Sequence, residues 1–100
     1  MVKHYVMWNL KKELSDTEKE GIKSDIRRRL ENLKGIIPGI EEITVYTEGA
    51  VESNSDIMLE CILTNREALT RYQANPEHQK IRNENVAPYV VERMSFDVIV

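Results

Sequence analysis

The chain has 100 residues, 41% of them apolar, and its 14 Lys and Arg against 17 Asp and Glu give a formal net charge of −3. That length builds one ordinary domain around one core, burying somewhat over about 60% of the extended-chain surface. Charges of both signs are interspersed, which gives no electrostatic case for nucleic acid, and no apolar run is long enough for a membrane span.

Met1 to Leu14 holds a short apolar segment without a basic leader or a small-residue cleavage site, so a secretory signal is not expected. Cys61 has no second cysteine to pair with and stands in an apolar run, which predicts a buried, inert thiol. Both features point to the cytoplasm. Val2 to Leu10 alternates, with Val2, His4, Val6 and Trp8 on one side and Lys3, Tyr5, Met7 and Asn9 on the other, the pattern of a strand with one apolar face. His4 among those apolar neighbours needs a hydrogen-bond partner in the core or a place in a pocket wall.

Ser15-Asp16-Thr17-Glu18 fits a capping box. Ile22, Ile26, Leu30, Leu33 and Ile37 follow at helical spacing, with Gly35 suited to the left-handed closing residue, so Ser15 to Lys34 is predicted as one amphipathic helix. Lys19, Lys23, Arg27, Arg28, Arg29 and Lys34 give it a basic outer surface, read either as a solvated face with Asp25 and Glu31 interspersed or as an attraction for phosphate. Pro38-Gly39 marks a turn, Ile40 to Glu48 a second strand, Glu48 to Ser55 a polar loop, and Asp56 to Leu63 a central strand buried on much of both faces. Thr64 or Asn65 caps a second helix to about Ala74, with Ala68, Leu69 and Tyr72 on one face and Tyr72 directed inward.

Asn75-Pro76 then breaks and restarts the helix, since Asn is a good N-cap and proline tolerates the first helical position. His78 falls in the first turn of this short helix, Pro76 to Asn85. Unsatisfied N–H groups and the positive end of the dipole bias its imidazole toward the neutral, proton-accepting form there. The plainer reading is a half-exposed turn residue bonded to a neighbour. Pro88 closes the helix, and Tyr89 to Val100 is a last strand in which Met94, Phe96, Val98 and Val100 alternate.

The order βα, ββ, αβ describes an α+β fold: a ferredoxin-like split βαβ with a four-stranded antiparallel sheet, in a single domain over residues 1–100. Helices cover one face. The other carries Tyr5, Met7, Met58 and Ile62, too apolar for a small monomer to leave in water, so a homodimer through the sheet faces is expected. Neither a phosphate-cradling glycine loop nor an axial-ligand arrangement is visible, so no cofactor is expected. The two histidines and one cysteine lack metal-ligand spacing, which leaves only a divalent ion on surface carboxylates as an alternative.

Lys3-His4 early in strand one, Ile37-Pro38-Gly39-Ile40 after the first helix, and Tyr72 followed by Asn75-Pro76-Glu77-His78 resemble the stress-responsive dimeric α/β-barrel domain family, abbreviated Dabb. The similarity covers essentially the whole chain. It implies a homodimer whose two sheets form a barrel, with a cleft between sheet and helices in each subunit. A plant branch contains polyketide cyclases that use the histidine of the proline motif as acid and base, helped by the upstream tyrosine and the strand-one histidine. The matching positions are His78, Tyr72 and His4. Two departures, Asn75 where histidine often precedes the proline and the aliphatic Leu30 where the cyclases place a polar pocket residue, keep substrate identity from being carried over.

In chemical terms, His78 would remove a proton alpha to a carbonyl while Tyr72 or His4 donates a hydrogen bond to the enolate oxygen, without a cofactor. Val6, Trp8, Leu30 and Leu59 would form an apolar wall for a small alkyl or aromatic ligand. The alternatives are a pocketed dimer that binds a small molecule without turnover and, third, a haem-degrading or quinol-type monooxygenase on the same barrel, which Trp8, Asn9 and His78 leave open.

Overall fold

A computed structural model describes all residues, Met1–Val100. The elements run β1 (Val2–Leu10), α1 (Asp16–Glu31), β2 (Ile40–Tyr46), β3 (Ile57–Leu63), α2 (Arg66–Ala74), α3 (Pro76–Ile81), a single π turn (Arg82–Val86) and β4 (Val90–Ile99). The strands form one antiparallel sheet in the order β2-β3-β1-β4. This is the ferredoxin-like α+β arrangement the element order predicts. No helix is long and apolar enough to cross a membrane.

Alternation in β1 sets the two faces: Val2, His4, Val6, Trp8 and Leu10 are buried under the helices, while the residues between them are half-buried on the far side. β3 repeats the pattern with Ile57, Leu59, Cys61 and Leu63 inward. Its other face is only half-buried in one chain, less than its continuous apolar run predicts. The core closes with Ile26 and Leu30 of α1, Ala68 and Tyr72 of α2, and Ile81 of α3.

The capping box forms as expected: Glu18 N–H donates to Ser15 Oγ and Ser15 N–H donates to Glu18 Oε1, each at 3.1 Å. The predicted helical end at Lys34 is three residues late, because the chain tightens into turns after Glu31. Leu33 and Ile37 still reach the core from those turns, with the Leu33 carbonyl accepting the Ile37 N–H at 3.0 Å, so the apolar spacing outlasts the helix that it announces. The basic outer face is largely paired: Arg27 with Glu31, Arg28 with Asp25, Lys34 with Glu42 and Arg29 with Glu84. That pairing fits the solvated-face reading and leaves little for a phosphate.

Gly39 has φ +94°, and a Cβ there would lie 2.8 Å from the Ala68 Cβ, so the start of β2 can pass α2 only as glycine. Asn65 caps α2 by accepting the Ala68 N–H at 2.8 Å. Asn75 ends α2 in an extended conformation and caps α3 by accepting the Glu77 N–H at 2.9 Å. The third helix stops at Ile81 rather than Asn85. There the backbone widens, and the Ala87 N–H donates to the Arg82 carbonyl at 2.8 Å, five residues back.

β4 departs from the simplest expectation. Its apolar parity, Met94, Phe96 and Val98, faces away from the helices, opposite Met7, Tyr5 and Lys3 of β1, whereas Arg93, Ser95 and Asp97 take the helix side. Met94, Phe96 and Tyr46 are exposed in the single chain and extend the apolar surface formed by Met7 and Met58 across the sheet.

Candidate functional site

Between the helix-covered face of the sheet and the last third of the helical layer lies a cavity of about 610 Å³. β1 supplies His4, Val6 and Trp8 to its wall, α1 supplies Leu30 and β3 supplies Leu59. Those four apolar residues are the ones expected from sequence. α3 adds His78 and Gln79, α2 adds Gln73, and the π turn and β4 bring Arg82, Val86, Val90 and Arg93. A volume of this size holds a drug-sized organic molecule.

The break at Asn75-Pro76 turns His78 back toward the sheet. Its ring centroid lies 4.4 Å from that of Tyr72, and the Tyr72 ring lies 6.0 Å from His4, edge-on at 68°. Tyr72, His78 and His4, scattered through the sequence, thus stand in one row. They are not equivalent. His4 and His78 line the cavity, whereas Tyr72 is completely buried one layer behind it.

Two polar atoms in this row have no protein partner, the Tyr72 hydroxyl and His78 Nδ1. Buried polar groups are nearly always bonded, and leaving one unpaired costs about 1–3 kcal/mol. Both atoms are sealed from solvent, in the row of rings that borders the cavity. Burial is the largest influence on His78 and lowers its pKa below 6.5; the Gln73 carbonyl opposes this, while His4, Arg82 and Arg93 act in the same direction as burial. Desolvation is thus the largest influence that biases His78 further toward its neutral form. Burial also raises the pKa of Tyr72, which stays protonated as a hydrogen-bond donor. It pushes Cys61 up to about 12, in keeping with an inert thiol.

His4 finds the partner that its position demands. Its Nδ1 lies 2.5 Å from Asp97 Oδ1 on the neighbouring strand, where the register sets the two residues opposite each other. An ionised carboxylate only accepts, so Nδ1 donates to Asp97 and Nε2 is the ring atom left for another partner. Asp97, Arg82, Arg93, Gln73 and Gln79 were not marked by sequence reasoning. The available signal was parity in β4, where Arg93, Ser95 and Asp97 interrupt the apolar alternation on one face. Nowhere do three His, Cys, Asp or Glu side chains converge in a way that could hold a metal ion.

Comparison with curated proteins gives no match. Among solved structures, a dimeric protein of unknown function with a ferredoxin-like fold from Bacteroides fragilis superposes with a TM-score of 0.90 at 23% identity, covering 99% of this chain and 95% of that one. A putative antibiotic biosynthesis monooxygenase from Nitrosomonas europaea gives 0.78 at 15% identity, covering 100% and 98%. A hydroxynitrile lyase from Passiflora edulis gives 0.74 at 20% identity, covering 99% and 92%. Likeness at these identities establishes the fold alone. Residues 2–100 match the stress responsive A/B barrel domain, and the chain belongs to that family.

Proposed function

We propose that this protein is a homodimer with a ligand cavity in each subunit, and that the cavity removes a proton alpha to the carbonyl of a small apolar or aromatic compound without a cofactor. The observation that carries the reading is His78, a cavity-lining imidazole kept neutral by burial, with its ring 4.4 Å from a tyrosine whose hydroxyl has no acceptor. A neutral imidazole takes the proton. A donor must then meet the charge that develops on the enolate oxygen. Tyr72, which carries a proton at neutral pH, or His4, which lines the cavity and donates from Nδ1 to Asp97, is that donor. Val6, Trp8, Leu30 and Leu59 hold the apolar body and keep water from the reacting carbon.

The homodimer rests on the apolar face. Met7, Met58, Met94 and Phe96 lie together on the uncovered side of the sheet, a surface that a second copy can bury by two-fold packing. The Bacteroides fragilis neighbour is itself described as dimeric.

The test is solvent exchange at carbon. Aryl β-diketones incubated with the protein in D₂O should lose their α-proton signal faster than in buffer, and His78→Ala should remove the acceleration. Absence of exchange with ligands that bind would transfer the assignment to a pocketed dimer that binds without turnover. Tyr72's place behind the wall rather than in it favours that second reading. Haem titration addresses the monooxygenase alternative, which requires tight binding with a Soret shift that disappears in His78→Ala.

A further inference from the structure

The charge of the cavity runs against the charge of the protein. The chain is acidic overall, at −3, yet none of the residues lining the cavity is Asp or Glu, while two of them, Arg82 and Arg93, are cations. Neither makes an ion pair, although Arg27, Arg28 and Arg29 on α1 all do. They come from different elements. Arg82 opens the π turn, where the widened backbone departs from α3, and Arg93 stands on β4 opposite Trp8, on the helix side of the sheet. Both side chains are exposed, so they stand at the mouth of the cavity, with Val6, Leu30 and Leu59 buried at its floor.

We infer that the ligand of this cavity is a monocarboxylate with an aromatic or alkyl body, its carboxylate held at the mouth by Arg82 and Arg93 and its body lying along Val6, Trp8, Leu30 and Leu59. This rests on the cavity assigned above as the ligand site and adds the substrate class. Guanidinium groups suit the role because their planar fork matches a carboxylate with two parallel hydrogen bonds and stays charged at every relevant pH. The division of the cavity into an apolar floor and a cationic rim fixes which end of the ligand enters first. His78 lines the same cavity, so a ligand held in this way lies alongside the imidazole. The cations also work on His78 directly, since both disfavour its protonated form and so help keep it a base.

Matched probes test this without any turnover. 4-Propylbenzoate and 4-propylbenzamide share one body, differ in charge and have no proton alpha to the carbonyl, so calorimetry reads binding alone. The benzoate should bind more tightly to the wild-type protein by about tenfold to a hundredfold, the usual worth of hydrogen bonds to a charged partner. In the double variant Arg82→Gln, Arg93→Gln the two affinities should converge to within about threefold. Benzamide binding to that variant shows that the cavity is intact. Equal affinities in the wild type, a preference that survives in the double variant, tighter binding of 4-propylphenyl phosphate than of the benzoate, or no binding of either probe at millimolar concentration would each overturn the inference. The carboxylate preference with no α-proton exchange would retain the site and remove the catalytic reading; exchange with no preference would do the reverse.

Discussion

Replacing Tyr72 by Phe separates a hydroxyl kept for chemistry from one kept for stability, because the two roles move the melting temperature in opposite directions. Tyr72 is fully buried, and its hydroxyl has no protein partner. Its ring makes the contacts with His78 at 4.4 Å and His4 at 6.0 Å that Phe would retain. Removing an unpaired buried hydroxyl returns part of its desolvation penalty, about 1–3 kcal/mol, less a small loss for the void left by one oxygen. The net should be stabilisation by about 0.5–2 kcal/mol, and in a domain of this size each kcal/mol raises Tm by about 4–8 °C. Catalysis should suffer instead, since loss of a donor to the developing oxyanion costs about 10²–10³ in rate. Thermal unfolding at one fixed protein concentration, because the Tm of a dimer depends on concentration, combined with the α-proton exchange assay reads both. A fall in Tm with exchange unchanged would refute the reasoning and make Tyr72 a bonded core residue.

Other outcomes follow from the same structure. Met7→Glu puts a carboxylate in the middle of the apolar sheet face, across from Met58 and Met94, at two symmetry-related places in the dimer. Burying it unpaired costs several kcal/mol, so light scattering at micromolar concentration should show half the wild-type mass; an undisturbed dimer would place the interface elsewhere. Gly39→Ala should destabilise by about 1–3 kcal/mol, since the φ of +94° and the Ala68 Cβ at 2.8 Å both oppose a side chain; chemical denaturation measures it. Stability should fall as the pH drops below about 6.5, because the unfolded chain then takes up a proton that folded His78, with its lowered pKa, refuses. Above that pH His78 is neutral in both states and contributes no slope. His78→Gln should flatten the acid limb, and an unchanged limb would assign it to another group.

Local signals carried much of the architecture. Alternation from Val2 to Leu10, the reciprocal Ser15 and Glu18 bonds, and the Asn75-Pro76 break are each decided within a few residues, and each appears in the structure where the sequence puts it. The break also accounts for most of what could be read of the site, since it aims His78 at a strand face on which His4 already stood out. Other features depend on pairing at long range. Asp97 meets His4 only through the β1–β4 register, 93 positions apart, and sequence alone states that His4 needs a partner without saying which. The Leu33 and Ile37 spacing extends a helix that tertiary packing ends early, because a turn can present the same side chains to the core. The π turn leaves no mark in hydrophobic period, and Arg82, which it positions, reads as one more surface charge.

The central claim is that a neutral His78 in this cavity takes a proton from carbon, and the pH profile of that step tests it most directly. The kcat/KM for α-proton exchange of an aryl β-diketone, measured in D₂O between pH 4 and pH 8, should rise through one apparent pKa below the ordinary imidazole value of 6.5 and then level off. His78→Ala should abolish the limb together with the rate. A limb at or above that value, or a profile that survives the substitution, would contradict the account.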